Sequence, residues 1–133
     1  MADLLLIDTD ILIDAARGQD TAIAYLEDQE KKHPLGISAI TEMELVVGCR
    51  NKQELRKLDR SLSRFETVAV QEAISSRAAV LLRQYALSHG LRIPDALIAA
   101  TALDLGVSLA TKNRKDFRFI DGIKLARYST KRA

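Results

Sequence analysis

The sequence predicts an α/β fold: a single domain in which one parallel sheet is covered by helices on both faces. A short, continuously apolar run such as 4–7 is typical of a strand that is buried on both faces. Longer segments with apolar residues at helical spacing lie between the predicted strands, so strands and helices alternate along the chain. With 133 residues, the chain is long enough for one domain with a substantial core.

The first half of the chain contains three predicted strands, at 4–7, 35–38 and 66–70. The helices predicted between them cover 11–16, 21–32, 40–49 and a segment within 51–64. The first of these ends at Arg17-Gly18, and His33-Pro34 interrupts the second.

The second half begins with a long amphipathic helix at 71–88, which Gly90 ends. The next helix, 94–105, is opened by a proline in its first turn and closed by Gly106. A fourth strand at 107–111, a short helix at 113–117 and a last strand at 123–126 complete the chain. Without repeats or linkers, residues 1–133 are expected to form one domain with five strands.

Composition excludes several classes of protein. Because Cys49 is the only cysteine, the chain has neither an internal disulfide framework nor a multi-cysteine zinc site. No apolar stretch approaches the ~20 residues that span a bilayer, and no basic segment precedes an apolar signal core. We therefore expect a cytoplasmic protein without membrane attachment. The aromatic content of 5%, with no Trp, argues against a base-stacking platform.

Charge is unevenly distributed, although the net charge is only +2. Residues 112–133 hold eight Lys or Arg and two Asp, a net charge of +6, whereas the preceding residues carry twelve bases and sixteen acids, a net charge of −4. A basic end on an acidic body suits contact with a polyanion. A solvated tail that frays at about 128–133 explains the same pattern.

Asp8 follows the first predicted strand directly, and Asp10 comes two positions later. The carboxyl ends of parallel strands form the edge at which open α/β folds bind ligands. Either acid could instead simply cap the helix that follows. For one acid the cap is the simpler explanation, so a chemical role requires further acids in equivalent positions.

Glu44 is a second candidate, on the helix predicted over 40–49. Periodicity places it with Ile40, Met43 and Val47 on the apolar side of that helix. The spacing Thr41-x-x-Glu44 also matches a capping box, which would explain the acid without any function.

Asp95 is a third candidate, because it shares a predicted buried face with Ile98, Ala99 and Ala102. Asp104 lies nearly opposite and is expected in solvent. An acid in the first helical turn is favoured by the helix dipole alone, at ~0.3–1 kcal/mol, but that effect does not require the acid to face the sheet.

A fourth group of polar residues follows the strand at 107–111. Thr111 ends this strand, and Asn113 and Asp116 lie three positions apart on the next short helix. Capping by Asn113 is again the alternative explanation.

Together these acids predict a metal site. Asp8, Glu44, Asp95 and Asp116 each lie where a strand gives way to a helix or just inside a helix start, and such places meet at one edge of a parallel sheet. Carboxylates gathered there repel one another unless a cation is supplied. Oxygen ligands suit Mg²⁺ or Mn²⁺, and the chemistry that uses such a site is phosphoryl transfer, with water activated by the metal.

Four stretches of the sequence resemble PIN-domain ribonucleases of the VapC type, which are toxins of toxin–antitoxin pairs. They occur in family order and span nearly the whole chain. They are Leu6-Ile7-Asp8-Thr9-Asp10-Ile11-Leu12; Ile37-Ser38-x-Ile40-Thr41-x-x-Glu44-Leu45-x-x-Gly48; Pro94-Asp95-Ala96-Leu97-Ile98-Ala99-Ala100-Thr101-Ala102; and Thr111-x-Asn113-x-x-Asp116-Phe117.

The resemblance implies a five-stranded parallel sheet and Mg²⁺- or Mn²⁺-dependent cleavage of RNA. The family's catalytic and metal-binding acids correspond to Asp8, Glu44 and Asp95, with either Asp116 or Asn113 completing the set. Asp10 stands where the family more usually has Asn. The supporting positions are Thr9, Asp10, Thr41, Thr111 and Asn113, and the expected contacts to RNA phosphates are Lys112, Arg114 and Lys115.

The resemblance also implies a homodimer that is silenced by a VapB-type antitoxin. Two alternatives stay open: an RNA-processing PIN nuclease without an antitoxin, and a PIN module that binds RNA or a partner without cutting. A phosphatase of the haloacid dehalogenase type would use Asp8 and Asp10, but Leu12 departs from its motif and Glu44 and Asp95 would have no role.

Overall fold

The computed structural model describes residues 3–128, so residues 129–133 of the predicted tail lie outside the described residues. The strands are β1 (Leu5–Ile7), β2 (Leu35–Ser38), β3 (Glu66–Val68) and β4 (Ser108–Ala110). The helices are α1 (Thr9–Ala16), α2 (Asp20–Glu30), α3 (Ala39–Val47), α4 (Lys52–Leu62), α5 (Glu72–His89) and α6 (Ile93–Leu105), followed by a short 3-10 helix (Arg114–Asp116).

The four strands form one parallel sheet in the order β3-β2-β1-β4. β1 is central, with Leu6 opposite Gly36 of β2 and Leu109 of β4. The chain builds the sheet in one direction from β1 through β3 and then returns to place β4 on the other side of β1. The carboxyl ends of β1 and β4 therefore flank the topological switch point, which is where doubly wound sheets bind ligands.

The prediction of five strands is wrong by one. The segment predicted as a strand at 123–126 pairs with the sheet through a single parallel bridge between Leu109 and Leu125. Two backbone hydrogen bonds of 2.8 Å make this bridge, from Leu109 N–H to the Lys124 carbonyl and from Ala126 N–H to the Leu109 carbonyl. Because β4 is only three residues long, the segment at 123–126 pairs with the middle residue of β4, Leu109, alone.

Two hydrophobic clusters lie on the two faces of the sheet, as the alternation of side chains along β1 requires. Leu4 and Leu6 belong to the cluster under α5 and α6. Leu5 and Ile7 belong to the cluster under α1 and α2. The continuous apolar run before Asp8 is thus explained by burial on both faces, as predicted.

α6 is buried on almost every side, since Ala96, Ile98, Ala99, Ala100 and Ala102 are each at most 1% exposed. It packs against α5 along its length and also contacts α3 and the sheet. This position holds the first turn of α6, including Asp95, rigidly at the edge of the sheet. Among the helices within 3–128, none combines the length and apolarity needed to cross a bilayer.

Candidate active site

Asp8 lies at the carboxyl end of β1 and is 5% exposed. It is the N-cap of α1: its Oδ1 accepts a hydrogen bond of 2.8 Å from Thr9 N–H. Its Oδ2 accepts a second bond of 2.7 Å from the Thr111 hydroxyl, at the end of β4. Asp8 therefore caps α1 and also lies at the switch point; the capping explanation is confirmed, and the chemical role of Asp8 stays a prediction.

Asp10 is bound by Asn113 and Thr111, from the segment at the end of β4. Asn113 Nδ2 donates to Asp10 Oδ2 at 2.9 Å, and the Thr111 hydroxyl lies 3.4 Å from the same oxygen. Asn113 caps nothing with its side chain, so the capping explanation for this residue is wrong. The other oxygen, Asp10 Oδ1, is buried and has no hydrogen-bond partner among the described residues. A buried carboxylate oxygen without a partner is costly and points to a missing ligand.

Glu44 joins the site through Thr9, whose hydroxyl lies 2.8 Å from Glu44 Oε1 and 2.9 Å from the Thr41 hydroxyl. The helix start that Glu44 was predicted to cap is capped instead by Ser38, so the capping box is not formed. Thr41 belongs to α3, and its side chain is completely buried.

The predicted apolar face around Glu44 is also wrong. Met43 and Val47 are 57% and 84% exposed, and Glu44 itself is an exposed residue. The buried strip of α3 is narrower and runs along Thr41 and the partly buried Leu45, because this short helix packs at the rim of the sheet rather than across it.

Asp95 and Asp116 meet at a cleft of about 240 Å³ beside this group. Asp95 lies in the first turn of α6, and its Oδ2 is 3.8 Å from Arg92 Nη2. Asp116 ends the short 3-10 helix. The cleft is lined by His89, Gly90, Leu91, Arg92, Asp95, Lys115, Asp116 and Phe119.

Burial raises the pKa of three carboxyl groups in this region, those of Asp8, Asp10 and Asp95. The pKa of Asp8 is raised to about 7, mainly by burial and next by the charge of Asp10. The hydrogen bonds from Thr111 and Thr9 oppose this rise, because they stabilise the charged form. Burial likewise raises the pKa of Asp10, although backbone N–H groups oppose this. Burial raises the pKa of Asp95; Arg92 opposes it, and the carboxylates of Asp116 and Glu44 add to it. Ionising these buried carboxyl groups side by side is therefore costly unless a cation is bound.

The three basic residues expected to contact RNA have different surroundings. Lys112 Nζ pairs with Asp14 Oδ2 at 2.7 Å, and Arg114 Nη1 donates to the Ala126 carbonyl at 3.0 Å. Lys115 lines the cleft and forms no salt bridge within residues 3–128.

Two charged residues of this region escaped the sequence analysis. Asp14 lies one helical turn after Asp10 and binds Lys112, and this spacing of four was the available signal. Arg92 lies beside Asp95 at a spacing of three, just before the proline that opens α6.

The predicted metal site is not assembled among the described residues. Within 3–128, no group of three or more His, Cys, Asp or Glu side chains is arranged so that it could hold a metal ion. Instead Asp8 and Asp10 are tied to Thr111 and Asn113, Glu44 is tied to Thr9, and Asp95 and Asp116 border the cleft.

Comparison with known proteins identifies the family. Residues 5–123 match the PIN domain family. This chain belongs to that family. It is 36% identical to ribonuclease VapC10 of Mycobacterium tuberculosis over 122 residues, which are 91% of each protein. The PIN domain resemblance drawn from the four motifs is confirmed.

Two solved structures show how closely the PIN fold is shared. A chain of a toxin–antitoxin complex from Klebsiella pneumoniae is 35% identical, with a TM-score of 0.75 over 90% of this chain and 94% of that one. A chain of VapBC2 from Rickettsia felis, bound to a DNA fragment from its promoter, is 29% identical, with a TM-score of 0.79 over 95% and 99%. The predicted α/β PIN architecture is thereby confirmed.

Proposed function

We propose that this chain is a divalent-metal-dependent endoribonuclease, the toxin of a VapBC-type toxin–antitoxin pair. One observation supports this above all: folding gathers carboxylates from distant parts of the chain at the switch point of the sheet. They are Asp8, Asp10, Glu44, Asp95 and Asp116. The ribonuclease name of its relative in Mycobacterium tuberculosis and the toxin–antitoxin assemblies of its structural neighbours support the same assignment.

The donor atoms fit Mg²⁺ or Mn²⁺ by their chemistry, although the described side chains would have to move to enclose an ion. The donors are all hard oxygens, Asp10 Oδ1 is buried without a hydrogen-bond partner, and burial and mutual repulsion raise the pKa of Asp8 and Asp95. Asp8, Glu44, Asp95 and Asp116 would hold the ion, and the unpartnered Asp10 oxygen adds a fifth donor group. When bound, such an ion supplies an acidified water and stabilises the negative charge on the departing oxygen.

The neighbouring hydroxyls keep the carboxylates in place. Thr111 fixes one oxygen of Asp8, and Thr9 fixes one oxygen of Glu44. Since a displaced ligand or nucleophile loses much of its effect, these contacts orient the site before the substrate arrives.

RNA phosphates need cations near this acidic edge. Lys115 is the strongest of the three predicted contacts, because it lines the cleft and has no salt bridge among the described residues. Lys112 and Arg114 would have to exchange Asp14 and the Ala126 carbonyl for phosphate oxygens.

Cleavage of single-stranded RNA in Mg²⁺, in Mn²⁺ and in excess EDTA tests the activity. Asp95→Asn should abolish cleavage while the circular dichroism spectrum is kept. Asp104→Asn is the matched control, because Asp104 is exposed at the far end of the same helix. Equal cleavage by both variants, or cleavage that persists in EDTA, would reject the metal-dependent assignment.

Exposed apolar residues of α3 support a protein partner, since Met43 and Val47 are 57% and 84% exposed. We expect a VapB-type antitoxin and a homodimer.

Expression of the chain should arrest growth, and co-expression of the neighbouring small reading frame should relieve the arrest. Light scattering of the purified chain tests the dimer. RNA cleavage without growth arrest would favour an RNA-processing nuclease, and RNA binding without cleavage a non-catalytic module.

A further inference from the structure

Three aromatic side chains meet beside the acidic site, although the chain contains few of them. The rings of His89 and Phe119 are stacked, with centroids 4.3 Å apart and an interplanar angle of 14°. Tyr85 packs edge-on against both rings, at 5.7 Å and 5.2 Å. The Tyr85 hydroxyl accepts a hydrogen bond of 3.2 Å from Asp121 N–H, which ties the end of α5 to the segment after the 3-10 helix.

Packing explains two of these three residues. Tyr85 and Phe119 are partly buried against the hydrophobic core below α5 and α6. His89 is exposed, and it presents an aromatic ring at the surface rather than to the core. Its Nδ1 lies 2.8 Å from the Ser88 hydroxyl, which together with the Phe119 stack restrains the orientation of the ring.

His89 and Phe119 line the same cleft as Asp95 and Asp116. Gly90, between the aromatic residues and Asp95, has φ +68°, and an added Cβ there would meet no atom within 4 Å. The cleft is therefore open beside Gly90.

Two cations of the cleft are placed to pair with a phosphate next to the rings. Arg92, 79% exposed and only 3.8 Å from Asp95, and Lys115, without a salt bridge in the described part of the chain, both line it. Arg and Lys are the usual partners of nucleic-acid phosphates, and aromatic faces stack on any base.

We propose that this cleft binds one unpaired nucleotide of single-stranded RNA next to the phosphate that is cleaved. The base stacks on the exposed face of His89, and Arg92 and Lys115 pair with its phosphate. The RNA strand would run from the aromatic pair toward Asp95 and Asp116, and this direction rests on the proposed nuclease function. It makes His89 a substrate-binding residue that selects unpaired over paired RNA, because a base in a helix cannot offer its face.

Binding in EDTA separates this subsite from catalysis. The probes are short single-stranded RNAs that each carry 2-aminopurine at one position, and the fluorescence of 2-aminopurine falls when the base stacks. His89→Ala should remove most of this quenching and weaken binding by about five- to 150-fold, the range that single stacking contacts span. His33→Ala is the matched control, since His33, the only other histidine, lines a different cavity.

Replacement by another aromatic residue distinguishes stacking from a merely structural role. His89→Phe should restore quenching and affinity, whereas His89→Leu, of similar bulk, should not. An RNA that lacks the base at the quenched position should bind the wild-type chain as weakly as intact RNA binds His89→Ala, with no further loss when both changes are combined.

Each outcome supports or overturns the subsite. Wild-type quenching in His89→Ala, rescue by Leu as well as by Phe, or additive losses in the combined experiment would overturn it, even if cleavage is normal. Quenching that depends on His89 without cleavage of any RNA would support the subsite and reject the nuclease proposal.

Discussion

At the scale of single residues, Thr111 connects two parts of the chain that are 103 positions apart. Its hydroxyl donates to Asp8 Oδ2 at 2.7 Å and accepts from Asn113 N–H at 3.1 Å. Thr111 is completely buried, so neither bond can be replaced by water without rearrangement. One side chain thus positions the first acid of the site and shapes the loop that carries Asn113.

Thr111→Val keeps the shape of this residue and removes both bonds. We expect a loss of about 1–3 kcal/mol in the free energy of unfolding and a strong loss of cleavage. The pKa of Asp8 should rise further, because the hydroxyl now stabilises its charged form. Urea unfolding and an NMR titration of the carboxyl measure these effects. Thr111→Ser retains the hydroxyl and should stay close to wild type; if Ser is as impaired as Val, the methyl group rather than the hydrogen bond is responsible.

The raised pKa of Asp8 makes stability depend on pH. The folded carboxyl has a pKa of about 7, against an ordinary value of 3.8. Its contribution to stability is therefore fully present below the ordinary value and is lost as the pH rises through about 7, where the buried group must ionise beside Asp10. Without metal, the chain should become less stable over this interval.

Asp8→Asn removes the group that ionises. In EDTA its Tm should exceed that of the wild type at about pH 8, and the difference should shrink toward zero at about pH 4. Thermal unfolding across this interval is the measurement. Excess Mg²⁺ should raise the wild-type Tm more than that of the variant, since binding to the folded state stabilises it. A Tm difference that is the same at both pH values would contradict the raised pKa.

At the scale of elements, α6 carries Asp95 and must end before β4. Gly106 ends it in the left-handed conformation, with φ +69°, and its N–H bonds back to the Ala102 and Leu103 carbonyls. Only Gly106 and Val107 lie between α6 and β4. The residue at which the helix ends therefore determines the register of β4 and the position of Thr111 after it.

Gly106→Ala should lower the free energy of unfolding by about 1 kcal/mol, because a Cβ disfavours the left-handed conformation. The cost is purely conformational, since no atom lies within 4 Å of the added carbon. Gly48→Ala is the control: Gly48 also follows a helix but has φ −75°, which any residue adopts. Chemical denaturation compares the two, and equal stability of both variants would contradict the conformational explanation.

At the scale of the whole molecule, the described part of the basic end, residues 112–128, lies beside an acidic site. The bridge at Leu125 and the contact of Arg114 with Ala126 hold this end against β4 through residue 126. The residues that would reach RNA phosphates are consequently fixed near the carboxyl edge of the sheet rather than distributed along a loose tail.

Lys115→Gln should weaken RNA binding and reduce the slope of log K against log salt by about 1, the value expected for one lost phosphate contact. Lys31→Gln is the control, since Lys31 follows α2 just before β2 begins, at the opposite edge of the sheet. Binding titrations at several salt concentrations in EDTA measure both slopes. An unchanged slope in Lys115→Gln would remove this residue from the RNA contact.

The sequence by itself determined the order of the elements and the positions of Asp8 and Asp95. Apolar runs, helical periodicity, Pro94, Gly90 and Gly106 are local signals, and they report interactions between residues that are close in the chain. The motifs around these residues also identified the family, because they record the acids together with their spacing.

Only the tertiary structure decided which groups touch across the sheet. The bond from Thr111 to Asp8, the bond from Asn113 to Asp10 and the stack of His89 on Phe119 join residues far apart in sequence. The exposed face of α3 and the single bridge that replaces the fifth strand follow from how short elements fit at the rim of the sheet. Periodicity tells which side of a helix is apolar, but packing against the other elements determines which side is buried.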